Sequence, residues 1–129
     1  MGMSQGPSRE EVGAERLRDI ARRRKRAHTA LLGMGSKVYA AFLEMEKATF
    51  ADGVLARKVK ELIAVGISVV RDCDSCMQWH VEQAAKAGAS QREVLEAVEV
   101  GIEMGGGPAT ASARFALEVM DDVFGAEQG

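Results

Sequence analysis

Apolar side chains recur every three or four residues along most of this chain, and short polar clusters interrupt that rhythm. Ser8-Arg9-Glu10-Glu11 reads as a capping box, with Ser8 at N-cap and Glu11 at N3. It predicts a helix through Ile20 toward Ala27. The apolar positions there are sparse (Val12, Leu17, Ile20), which predicts an exposed arm or a surface packed on a neighbouring subunit. Gly33-Met34-Gly35 breaks the pattern, and Ser36 can cap a second helix carrying Val38, Tyr39, Phe42, Leu43 and Met45. Asp52-Gly53 ends it. Leu55 to Val70 is the strongest apolar segment, apolar on more than one side, and predicts a central buried helix. Its β-branched end at Ile67 to Val70 also suits a strand, but the length and the Lys60-Glu61-Leu62 pattern favour helix.

Arg71-Asp72 marks the next break, with Asp72 the expected N-cap of a helix from Cys73 to Ala87 that Gly88 closes. Ser90-Gln91-Arg92-Glu93 is a second capping box, opening a helix with Val94, Leu95, Val98 and Ile102 as its stripe. Gly105-Gly106-Gly107-Pro108 ends that helix, and Pro108 suits the first turn of the last one, which carries Phe115, Val119, Met120, Val123 and Phe124. No strand signal recurs. The expectation is an all-α domain of five or six helices. Residues 1–7 are expected as a disordered leader, 8–35 as an N-terminal helical arm, 36–125 as the helical core and 126–129 as a tail.

Composition narrows the picture. A chain of 129 residues, 47% hydrophobic, is long enough to bury a core as one domain. Aromatics are only 5%, so Ala, Val, Leu and Met must fill the interior. A net charge of -2 gives no global pull toward nucleic acid or acidic membranes. The run Arg22 to Arg26 reads as a charged helix face, since no aromatics interleave it. No apolar run approaches the ~20 residues of a membrane span, and Met1 to Pro7 lack the apolar core of a secretory signal. These features predict a cytoplasmic protein that contacts neither membrane nor nucleic acid. There, an isolated CxxC points to catalysis or metal binding rather than to a structural staple.

That CxxC is Cys73-Asp74-Ser75-Cys76, the only two cysteines, and His80 follows four residues after the second. On a helix the three positions fall within an arc of roughly 60°. Residues i and i+3 of a helix have Cα atoms about 5–5.5 Å apart, within the range a disulfide accepts. At a helix N-terminus the dipole and free N–H groups favour thiolate, while Asp72 and Asp74 oppose it. His80 can take a proton from a thiol directly or through water. Glu61, on the preceding helix, can meet His80 if the two helices pack together, which would orient the imidazole.

Glu61, an eleven-residue gap, then Cys73-x-x-Cys76-x-x-x-His80 resembles the signature of the alkylhydroperoxidase D and carboxymuconolactone decarboxylase superfamily. The flanking segments agree. Arg57 to Val65 resembles the helix before the motif, Ala87-Gly88-Ala89-Ser90 the turn after it, and Met104 to Ala109 the loop of smaller members. The likeness covers roughly residues 36 to 125. It implies an all-α fold that assembles into homotrimers or homohexamers, and a peroxidase or thiol-disulfide oxidoreductase activity. It implies that Cys76 attacks the hydroperoxide, that Cys73 resolves it, and that Glu61 and His80 relay protons. The substrate would be a hydroperoxide or disulfide, the reducing partner a thiol, with no metal and no further cofactor. In some peroxidase members a histidine directly precedes the second cysteine; here that position is Ser75.

Three alternatives compete with that reading. A decarboxylase-like lyase would use Glu61 and His80 with the cysteines as bystanders, although that branch generally lacks the paired cysteines. A zinc module would draw on Cys73, Cys76, His80 and Glu61. Two cysteines can also be simple buried hydrophobes. His28 is expected to be solvated, Trp79 to pack in an interface or core, and the methionines to fill the core.

Overall fold

The computed structural model describes residues 6–125. Six helices follow one another: α1 (Arg9–Gly33), α2 (Lys37–Phe50), α3 (Arg57–Val70), α4 (Asp74–Lys86), α5 (Gln91–Gly105) and α6 (Gly107–Phe124). No strand occurs among the described residues. The expected leader and tail lie largely outside them.

Local chemistry sets most of the boundaries. Ser8 and Ser90 each accept from the N3 backbone N–H while Glu11 and Glu93 reach back to the cap N–H, so both capping boxes form. Ser36 caps α2 through the Tyr39 N–H. Gly88 (φ 100°) turns the chain out of α4, and Pro108 stands in the first turn of α6.

The core is the packing of α3 against α4 and α5, with α6 closing over α4 and α5. Val65, Met77, Val81, Val94 and Val119 are completely excluded from solvent. Burying each such side chain stabilises the fold by about 1.5–3 kcal/mol. The α3–α5 crossing is unusually close. A Cβ built at Gly101 would lie 2.7 Å from the Gly66 carbonyl oxygen and 2.9 Å from Val69 Cβ, so only glycine fits there.

Four expectations need correction. The N-terminal helix is not a bare arm: it runs to Gly33, and Leu17, 4% exposed, enters the core of its own chain with Ile20 against it. Leu17 and Ile20 share one face at i, i+3, and that short stripe suffices to dock the helix. α3 is central but not buried all round: its core face carries Val65 and Val69, while Val59, Ile63, Ile67 and Val70 face outward. The methionines divide, with Met77 and Met120 in the core and Met34, Met45 and Met104 exposed. Finally, Asp72 does not cap α4. It adopts φ 53°, a left-handed conformation that Asp tolerates and an N-cap residue does not use. The turn out of α3 claims that residue, and the cap falls to Cys73.

Candidate active site

Cys73 stands at N-cap of α4 with extended backbone, and its Sγ accepts the Cys76 backbone N–H at 3.2 Å. Cys76 is therefore N3. The Cα atoms are 5.2 Å apart and the two sulfurs are joined as an intrachain disulfide. Both residues are half-buried. The turn is held from several sides. Ser112 Oγ donates to Asp72 Oδ1 at 2.8 Å, Arg16 pairs with Asp74, and Arg24 bonds Ser75 and Gln78.

One turn beyond Cys76, His80 Nδ1 lies 2.7 Å from Glu61 Oε1. Glu61 is 2% exposed, a buried acid on the core side of α3. Burial of a carboxylate is tolerated only with partners. Here they are His80 on one oxygen and Arg57 Nε, 3.7 Å from the other. Arg57 is fixed in turn by donating to Gln83 Oε1 at 2.6 Å. Phe50 stacks on the imidazole with centroids 5.3 Å apart. An Nδ1–H would donate to an ionised Glu61, which would leave Nε2 as the ring nitrogen able to exchange a proton. Glu61 forms part of the wall of a cleft of about 400 Å³ bounded also by Lys47, Phe50, Arg57, Trp79 and Gln83. His80 and the two cysteines are not among the residues that line it.

The four predicted residues thus fall into two bonded pairs, Cys73 with Cys76 and Glu61 with His80, on adjoining turns of α3 and α4. Among the described residues no cluster of three or more His, Cys, Asp or Glu is arranged to hold a metal ion. His28 departs from expectation: it is half-buried, with Nδ1 2.7 Å from the Tyr39 hydroxyl. Trp79 is half-buried between the cleft and the Arg24 guanidinium. Phe50, Arg57, Gln83 and Arg24 were not anticipated. Of these, Arg57 alone had a sequence signal, its i, i+4 spacing to Glu61.

A larger depression of about 720 Å³ lies elsewhere, between α3 and α5, walled by Val59, Ile63, Ile67, Val70, Val100 and Met104. Neither sulfur nor imidazole lines it. No helix among the described residues is long and apolar enough to cross a membrane.

Residues 36–119 match the model of the carboxymuconolactone decarboxylase family. The chain is 41% identical over 92 residues to an uncharacterized protein, "protein 4 in cox locus", of Paracoccus denitrificans, covering 71% of this chain and 83% of that protein. Its fold is similar to that of a carboxymuconolactone decarboxylase family protein of Legionella pneumophila in its apo form. The TM-score is 0.80 at 28% identity, over 84% of this chain and 97% of the other. A Thermotoga maritima protein, TM1620, aligns with TM-score 0.77 at 25% identity, over 85% and 96% of the two chains.

Proposed function

The chain belongs to the carboxymuconolactone decarboxylase family, and we propose that this member is a cysteine-dependent oxidoreductase that reduces hydroperoxides or disulfides. One observation carries the reading: two sulfurs joined within the first turn of α4, with a Glu61–His80 hydrogen bond of 2.7 Å one turn further on. A lyase that treated the cysteines as bystanders would use the Glu61–His80 bond but would have no use for the joined sulfurs.

In the reduced protein the Cys76 thiolate attacks the outer oxygen of a hydroperoxide. The O–O bond breaks, the alcohol leaves with a proton delivered by His80, and Cys76 becomes a sulfenic acid. The Cys73 thiolate then attacks Cys76 Sγ, expelling hydroxide that is protonated to water, and the disulfide forms. Two thiols of a reducing partner restore the dithiol and leave as one disulfide. His80 gives and takes these protons, and Glu61 holds its ring. Each step uses groups of this chain, the substrate and a thiol reductant. The reading presumes a reducing compartment, for which the cytoplasm is the natural choice.

We also propose that copies of this chain associate, as a trimer or hexamer, through the α3–α5 face. Ile63, Ile67, Val100 and Met104 are each about half or more exposed there, on two adjoining helices. Monomeric proteins seldom leave such contiguous patches open.

Peroxide titration of the reduced protein with mass spectrometry tests the redox reading. The expected product is two hydrogens lighter, with one bridge mapped to Cys73 and Cys76. Full peroxide-dependent turnover by a Cys76→Ser variant would overturn it.

A further inference from the structure

Within the basic run Arg22 to Arg26 only Arg24 is half-buried; the other four are exposed. Its Nη1 donates to the Ser75 carbonyl oxygen at 3.3 Å and to Ser75 Oγ at 3.1 Å, and its Nη2 donates to Gln78 Oε1 at 3.0 Å. The guanidinium carbon lies 5.3 Å from the centre of the Trp79 ring. Gln78 is itself buried, and its Nε2 donates to the Leu17 carbonyl at 2.7 Å, which fixes the oxygen end of the amide toward Arg24. The guanidinium is thus fastened to the first turn of α4, on the residue that separates Asp74 from Cys76. It comes from α1, which lies outside the matched family segment.

Charge distinguishes Arg24 from its neighbours. Arg16 pairs with Asp74, and Arg22 and Arg23 with Asp19. Among the described residues Arg24 has no carboxylate within ion-pair distance, and its hydrogen-bond acceptors are all neutral. Its charge is felt by Glu82, where burial pushes the carboxyl up and Arg24 draws it back. Around the sulfurs stand Asp72, bonded to Ser112, Asp74, neutralised by Arg16, and the His80–Glu61 pair with Arg57 beyond it. Arg24 is therefore a cation without an ion-pair partner that hydrogen bonds fasten directly to this turn. A cation near a thiol stabilises the thiolate, and a guanidinium that is only half-buried stays open to screening by salt. A disulfide, being neutral, gains nothing comparable.

We propose that Arg24 is a positioning residue whose unpaired charge, held on Ser75 and Gln78, favours the reduced form of the Cys73–Cys76 pair over the disulfide. The proposal rests on the redox reading of that pair. The chemistry it biases is exchange with an external thiol. With glutathione, two thiols are oxidised to one glutathione disulfide while the Cys73–Cys76 bond is broken and takes up two electrons and two protons.

Wild-type protein, Arg24→Gln and Arg24→Lys are equilibrated with glutathione buffers of known ratio, then alkylated and weighed by mass spectrometry. Circular dichroism checks the fold of each. Arg24→Gln is expected to move the equilibrium about three- to tenfold toward the disulfide. Arg24→Lys, which keeps the charge but not the fork, should stay within about twofold of wild type, whereas a purely structural role would make both variants behave alike. Raising the salt should move the wild-type equilibrium toward the disulfide, a test that needs no variant to fold. An unchanged Arg24→Gln equilibrium, an equal shift in both variants, or a salt-insensitive wild type would overturn the proposal and leave the redox reading standing. A wild-type pair that never exchanges with glutathione would overturn both.

Discussion

Glu61 and His80 meet across the α3–α4 contact at 2.7 Å, nineteen positions apart in the chain. The acid is buried and the imidazole is only 16% exposed, so the bond is shielded from competing water. It leaves one ring nitrogen free. In the proposed mechanism that relationship would make the histidine beside the cysteine pair an oriented proton carrier.

Glu61→Gln preserves the shape of the buried acid and removes its charge. Peroxide-dependent turnover should fall about 10²-fold, within the usual range for losing oriented acid–base help. Both thiols should remain titratable with a thiol reagent. Unchanged turnover would remove Glu61 from the relay.

Cys73 caps α4 and, in the proposed function, is also a redox sulfur; two substitutions separate the roles. Under reducing conditions Cys73→Ser keeps a good N-cap, while Cys73→Ala should cost about 0.5–2 kcal/mol relative to it. Urea midpoints of the two variants measure the difference. Neither can form the disulfide.

Gly101→Ala inserts a methyl group against the Gly66 carbonyl and Val69. The fold must separate α3 from α5, and the expected loss is about 1–3 kcal/mol, typical of an overfilled core. Thermal unfolding reads it directly. A variant as stable as wild type would show that this crossing relaxes freely.

Acid should weaken the start of α5. The Ser90 backbone N–H bonded to the Glu93 carboxylate holds that group below its ordinary value of 4.5, and the Lys58 ion pair adds to the effect. A group lowered in the folded state stabilises it above the unfolded value, and that contribution disappears as pH falls through the folded value. Glu93→Gln keeps the hydrogen bond to Ser90 and loses the charge, so its stability should decline less between pH 5 and pH 3, an interval about 4.5 chosen from the direction of the shift. Glu82 runs the other way: burial raises its carboxyl, so Glu82→Gln should help stability most at neutral pH. Urea midpoints followed from neutral pH down through that interval decide both.

Ile67→Glu on the exposed face of α3 should reduce sedimentation to the monomer while the helix content stays unchanged. Wild-type protein sedimenting as a monomer at micromolar concentration would defeat the assembly proposal.

The expected five or six helices were legible because their ends are written in short-range chemistry: Ser8 with Glu11, Ser90 with Glu93, Ser36, Gly88 and Pro108 each act within a few residues. The sulfur pair was legible for the same reason. The Glu61–His80 bond needed helix packing, and its motif spacing, not periodicity, pointed to it. Asp72 misled because good N-cap residues are also those that tolerate a left-handed turn, and here the turn prevailed. Arg24 was hidden in a run of five cations that look alike in sequence. Only the docking of α1 through Leu17 decides which of them turns inward. The outward apolar face of α3 was hidden likewise, since hydrophobicity does not say what will cover it.

The Cys76 amide points at the Cys73 sulfur. Its hydrogen therefore sits where any change in that sulfur's bonding must be felt, and its exchange with deuterated solvent becomes a built-in gauge of the pair. One backbone proton, followed by magnetic resonance, would report whether the bond between the sulfurs is made or broken, without touching a substrate.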